Sequence, residues 1–176
     1  MNVKWDIELK PHQLRNPVMY WQMVDLPDDM LIPCEDDLRK IFTTNQQSLK
    51  TWGRTSGQIN GTEPHWIGVH KQTPLHMDPA YPRYTHHLLL KVDGFSLRGV
   101  DKVELPLQRG IYMQIDTHSP HQLYAKEDKA LWYLAVSMDS KTPVSKGYAI
   151  PNLIRYAQKY PLITDEILKP NNGGRF

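Results

Sequence analysis

His76 and Asp78 are separated by one residue in Thr73-Pro74-Leu75-His76-Met77-Asp78-Pro79, and a second histidine, His121, comes much later in Asp116-Thr117-His118-Ser119-Pro120-His121-Gln122. Two imidazoles and one carboxylate are the side chains that hold Fe(II) on one face and leave the other face open to incoming ligands. On an extended strand, residues i and i+2 point the same way, so His76 and Asp78 can reach one ion together. The H-x-D pair alone is a common pattern; its weight comes from the histidine-bearing segment downstream. Within that segment, His118 is the rival to His121.

The elements that must position these residues read as strands. Arg83–Val92, Phe95–Val100, Lys102–Leu105, Gly110–Ile115 and Ala130–Val136 are short runs rich in branched and aromatic residues. Asp93-Gly94, Pro106, Arg109-Gly110 and Ser119-Pro120 punctuate them. Repeated short strands with turn signals predict an all-β sandwich or barrel. His65–His70 alternates enough to be a further strand leading into His76. Residues 1–32, broken by Pro11, Pro17 and Pro27, predict a short strand or two. Ser48–Thr62, polar with three glycines, reads as a long loop or a loose hairpin. Two helices are expected. One covers Glu35–Phe42, where acidic residues precede basic ones and Leu38, Ile41 and Phe42 share a face. The other is C-terminal and opened by Pro151, with Leu153, Ile154 and Ala157 on one side and Lys159 near its end. The tail Pro170–Gly174 is expected to be mobile.

Gly110-Ile111-Tyr112-Met113-Gln114-Ile115-Asp116, together with the H-x-D pair and the late histidine, resembles the Fe(II)- and 2-oxoglutarate-dependent dioxygenases, whether prolyl-4-hydroxylase-like, which Lys129 resembles, or a related double-stranded β-helix oxygenase. In that family a glycine opens a strand ahead of the distal histidine, and Gly110 stands at that spacing from His121, closer to it than the interval to His118. The resemblance implies a mainly β, double-stranded β-helix (jelly-roll, cupin-like) core with a few flanking helices. The core would occupy about 60–140 of a single oxygenase domain spanning 1–176. It implies His76, Asp78 and His121 as catalytic metal ligands for Fe(II), 2-oxoglutarate as cosubstrate, and dioxygen and a C–H-bearing prime substrate as partners. Succinate and carbon dioxide would be the coproducts. The far carboxylate of 2-oxoglutarate needs a cation, which the family supplies on the strand after the distal histidine. Lys129 occupies that place after a shorter turn than usual, and a lysine serves as a point charge with three donors. Lys91 and Arg98 are the alternatives, and Tyr84 can help hold a carboxylate.

Other residues have plainer readings beside functional ones. Tyr84 and Trp66 either line the pocket or pack as core aromatics, and Arg83 either meets an anionic substrate or lies salt-bridged at the surface. His86 and His87 are adjacent, so a strand turns them to opposite faces and one can line the pocket. With His12, His65 and His70 they stay outside the metal set. No nucleophile-histidine-acid set is apparent. Two other classes compete: a cupin-like metal enzyme that does not use 2-oxoglutarate, and a non-catalytic β-sandwich binding module with structural histidines.

The whole chain narrows the setting. Its 176 residues are enough for one domain with a real core. A net charge of +2 with interleaved signs argues against sequence-independent nucleic-acid binding, leaving a small molecule or a protein side chain as the expected prime substrate. The single cysteine, Cys34, excludes an internal disulfide and suits a reducing compartment. With a charged N-terminus and no apolar run of spanning length, a soluble cytoplasmic protein without a membrane segment is expected.

Overall fold

The computed structural model describes residues 4–6, 17–30, 32, 52–54, 64–69, 72–79, 81–126 and 132–159. In chain order the strands are β1 (Lys4–Asp6), β2 (Val18–Met23), β3 (Trp52–Arg54), β4 (His65–Val69), β5 (Tyr84–Val92), β6 (Phe95–Arg98), β7 (Glu104–Pro106), β8 (Ile111–Asp116), β9 (Gln122–Ala125) and β10 (Tyr133–Ser140). A single helix among the described residues, α1 (Lys146–Gln158), follows them. The protein is mainly β, as expected.

Seven strands form one antiparallel sheet in the order β1-β2-β8-β5-β10-β4-β3, and three form a second in the order β7-β6-β9. The segment 73–78, which is not a regular strand, lies along the second sheet. The Thr73 amide donates to Leu123 O, His76 and His121 exchange both backbone hydrogen bonds, and the Asp78 amide donates to Thr117 O.

The centre of the large sheet, at β5 and β10, is buried on both faces, which explains why β5 carries the uninterrupted run Leu88-Leu89-Leu90 where a half-exposed strand would alternate. Its inner face contributes Leu89, Ile111, Met113 and Ala135, packed with Phe95 and Leu97 of the small sheet. Its outer face contributes Leu88, Leu90, Tyr112, Leu134 and Val136, packed with Ala149, Leu153, Tyr156 and Ala157 of α1. Those four helix positions follow the i, i+4, i+7, i+8 spacing of one apolar stripe. Each fully buried leucine contributes about 1.5–3 kcal/mol.

The helix differs from expectation at its start. Pro151 lies inside it and does not open it; Ser145 caps it, its hydroxyl accepting from the Tyr148 amide at 3.3 Å. Pro151 is exposed, and the carbonyl it cannot serve belongs to the equally exposed Gly147, so water can replace the lost bond. β9 had no strand expectation, and β3 falls within the stretch read as a loop or hairpin, where it pairs with β4. Pro106, read as a separator, instead ends edge strand β7. The expected helix at Glu35–Phe42, Cys34 and the tail Pro170–Gly174 lie outside the described residues. No helix among the described residues is long and apolar enough to cross a membrane.

Candidate metal centre

The backbone pairing of segment 73–78 with 117–123 builds the site. His76 and His121 face each other directly across it, with amide-to-carbonyl distances of 3.0 and 2.9 Å, so both side chains leave the sheet on one side. Their ring centroids are 4.3 Å apart. Asp78 joins them from two residues along. One ligand atom from each of the three lies within 4.8 Å of the others, the spacing of a metal donor set.

Hydrogen bonds at the far side of each ring determine what the near side offers. His76 Nδ1 lies 2.6 Å from Pro74 O and His121 Nδ1 lies 2.9 Å from Ser119 O. A carbonyl oxygen only accepts, so Nδ1 carries the proton in both rings, and a neutral ring then has its lone pair at Nε2. Both Nε2 atoms face Asp78 Oδ2, at 3.1 Å from His121 and 3.6 Å from His76. Acceptors at that distance require a cation or a shared proton between them. Burial alone would raise the Asp78 carboxyl; with a second proton on the rings, at Nε2, the hydrogen bonds and charge of His121 and His76 outweigh it and hold the group well below the usual carboxylate range, and a bound cation would take the place of those protons. Two neutral nitrogens and one carboxylate oxygen with fixed tautomers fit a divalent transition metal.

The triad opens onto a cavity of about 110 Å³ between the two sheets. Ile67, Val69, Leu97, Ile115 and Leu123 supply its apolar lining, while His65, Thr85, His87, Tyr133 and Asp139 supply a polar wall on the large sheet. Register aligns that wall. Ser137 of β10 stands opposite His65 of β4 on one side and His87 of β5 on the other, and Asp139 stands opposite Thr85.

A scan against protein-family models finds no match for this chain, and a search of curated proteins finds none. The chemistry of the site therefore rests on its own geometry.

The structure brings together His76, Asp78 and His121 and leaves His118 apart, exposed, with its Nε2 at 3.0 Å from Tyr81 O. Lys129 lies outside the described residues. Lys91 does not reach the cavity, although simple alternation along β5 would place it on the face of Thr85, His87 and Leu89. A bulge intervenes: Ala135 opposes Leu89 but Leu134 opposes Lys91. Beyond it Lys91 shares the outer face of Leu134, and Val92 turns inward with Tyr133. Tyr84 alternates with His86 and Leu88 on the outer face and is not among the cavity residues. Arg98, on the outer face of β6, donates to Gln122 Oε1 at 3.0 Å and stacks over Tyr124 at 3.7 Å.

Arg83 takes the plainer of its two readings, a two-point ion pair with buried Asp116 whose closest contact is 2.9 Å. Trp66 is likewise a core aromatic, fully buried on the outer face against Tyr156. His86 and His87 turn to opposite faces as the strand requires. His86 bonds Tyr112 and Ser140 on the outer side, and His87 bonds Tyr133 inside the cavity.

Sequence reasoning missed the polar wall. A signal for it existed: Thr85 and His87 on β5, and Tyr133, Ser137 and Asp139 on β10, are polar residues at even spacing in otherwise apolar strands. Only the register shows that they meet.

Proposed function

We propose that this protein is an Fe(II)- and 2-oxoglutarate-dependent dioxygenase that hydroxylates a C–H bond of a small molecule or a protein side chain. The observation that carries this reading is the convergence of His76 Nε2, His121 Nε2 and Asp78 Oδ2 at the mouth of a cavity, with both Nδ1 protons committed to backbone carbonyls. A double-stranded β-helix core is part of the same proposal. Its support is the path of the chain, which alternates between the sheets: β4 in the large one, 73–78 along the small one, β5 large, β6 and β7 small, β8 large, β9 small, β10 large.

When bound, Fe(II) with 2-oxoglutarate and dioxygen supplies oxidative decarboxylation to succinate and carbon dioxide, coupled to substrate hydroxylation. The protein's own contribution is positional. His76 and His121 present lone pairs, and Asp78 contributes the negative charge. The backbone carbonyls of Pro74 and Ser119 keep both rings from rotating. Ile115, Leu123 and Val69 line the space with aliphatic groups that exclude bulk water. No side-chain nucleophile is needed.

Anaerobic titration of Fe(II) and 2-oxoglutarate into the protein is expected to produce a weak visible metal-to-ligand charge-transfer band, and Asp78→Ala is expected to abolish it. A wild-type protein without the band, or an Asp78→Ala protein that retains it, overturns the assignment. One observation favours a cupin-like metal enzyme that does not use 2-oxoglutarate: no lysine or arginine lines the cavity among the described residues. Such an enzyme binds the metal but shows no band on addition of 2-oxoglutarate.

A further inference from the structure

We infer that the prime substrate carries an ammonium group on an aliphatic stem, and that Asp139, Thr85 and Thr117 hold this group at one end of the cavity. The assignment rests on the metal reading above and names the substrate class that it leaves open.

Pairing of the chain places the three residues together. On one side of the His76–His121 bridge the Thr73 amide donates to Leu123 O, and on the other the Asp78 amide donates to Thr117 O. The Asp78 side continues into β5. There the Thr117 amide donates to Arg83 O at 2.8 Å, and two residues further on Thr85 stands opposite Asp139 of β10. The other end of the cavity is formed by Leu97 opposite Leu123 and by Val69 opposite Tyr133. Asp139, Thr85 and Thr117 are all buried, and all line the cavity shared with the metal triad.

The lining fixes the sign of the ligand. Its carboxylates are Asp78 and Asp139, and no lysine or arginine joins them among the described residues. Asp78 belongs to the metal site, so Asp139 is the negative charge that faces the substrate space. A buried carboxylate is costly unless a cation or several donors meet it. His65 Nε2 lies 3.9 Å from Asp139 Oδ2, beyond hydrogen-bond distance. A carboxylate accepts at about four sites, so its contacts within the protein do not exhaust it. Burial pushes the neighbouring His87 imidazole down to about 3, so that ring brings no positive charge to the wall.

Proton counting fixes the chemistry. Thr117 Oγ1 donates to Arg83 O at 2.9 Å and to Pro82 O at 3.3 Å, so its one proton is spent on the backbone and its oxygen remains an acceptor. The Thr85 and Ser137 hydroxyls, 3.0 Å apart, share one hydrogen bond, and when Thr85 donates, its oxygen is an acceptor too. Asp139 only accepts. Three acceptor groups at one end match the three N–H donors of a primary ammonium, whereas an anion would meet a like charge. Ile115, opposite Thr85 on β8, and Pro82 line the cavity beside them and offer aliphatic contact to the stem.

The test is anaerobic calorimetry on the Fe(II)-loaded protein with n-butylammonium and its uncharged isostere butan-1-ol. The wild type is expected to bind the ammonium at least about tenfold more tightly than the alcohol. Asp139→Asn, which keeps shape and removes charge, is expected to abolish that preference while leaving the alcohol unaffected. Thr85→Val, a second variant that does not touch the carboxylate, should weaken the ammonium about threefold.

Equal affinity of the wild type for ammonium and alcohol overturns the inference. So does a preference that survives in Asp139→Asn, which would place the cation at the metal triad. Tighter binding of acetyl-glycyl-lysyl-glycinamide than of butylammonium supports a protein side chain as the source of the ammonium, and the reverse order supports a free amine. A protein that prefers the ammonium but gives no charge-transfer band with Fe(II) and 2-oxoglutarate keeps the inference and fails the dioxygenase reading. One that gives the band without the preference fails the inference alone.

Discussion

At the scale of single residues, the histidines of this chain have distinct roles set by their surroundings. His76 and His121 each give one nitrogen to a backbone carbonyl and turn the other toward Asp78. His86, one residue from a cavity-lining histidine, serves the fold instead. Burial pushes its imidazole down to about 4, against an opposing pull from Asp139. A depressed folded value means that the unfolded chain takes up the proton first. The stability linked to His86 is therefore complete above its unfolded value of about 6.5 and is lost as pH falls from there through about 4. His87 acts in the same direction. Urea unfolding of the apo-protein is expected to lose stability steadily from pH 6.5 to 4.5, with His86 accounting for about 1.4 kcal/mol per pH unit. His86→Gln should flatten the profile by that share; an unaltered slope would show that His86 titrates normally in the folded state.

At the scale of elements, turns and bulges decide which side chains reach the cavity. Gly110 leads into β8 with φ +94°, a region that side-chain-bearing residues rarely adopt. A Cβ there would stand 3.1 Å from Val24 O and 3.2 Å from Met23 Cε. Its amide and carbonyl also tie Leu89 of β5 to Val24 after β2. Gly110→Ala is expected to cost roughly 1–3 kcal/mol in chemical denaturation. Gly147, near the start of α1, is the matched control, because an added Cβ there meets nothing within 4 Å. Gly147→Ala should be neutral or stabilising by at most about 1 kcal/mol. Equal losses from the two substitutions would contradict a special role for the β8 turn. The bulge in β5 is the other decisive local feature, since it turns Lys91 outward and Val92 inward.

For the whole molecule, the candidate metal centre joins two distant parts of the chain, so a metal bound there would couple its occupancy to folding. The donor set requires segment 73–78 to stay paired with 117–123, a geometry that the unfolded chain does not hold. Metal at about one hundred times its dissociation constant is expected to stabilise the fold by about 2.7 kcal/mol. The corresponding rise in Tm should appear with Fe(II) or Co(II), disappear on chelation, and be absent in Asp78→Ala. A rise of the same size in Asp78→Ala would place the metal elsewhere.

The sequence by itself determined the mainly β character, most of the strands after residue 64, and the His76–Asp78 pair of the candidate site, with His121 preferred to His118 as the third ligand. Those properties are local: branched and aromatic runs favour strands, turn residues end them, and H-x-D spacing aims two ligands alike. Periodicity also showed that His86 and His87 must diverge. It could not show which faced the cavity, because β5 is buried on both sides and hydrophobicity marks neither face as inner.

What only the tertiary structure decided depends on register between segments remote in sequence. It set His76 directly against His121 and left His118 aside. It aligned His65, Ser137 and His87 into one row, and it used a one-residue bulge to move Lys91 from the expected inner face to the outer one. A shift of a single residue in pairing reverses every side chain beyond it, and no count of residues along one strand contains that information.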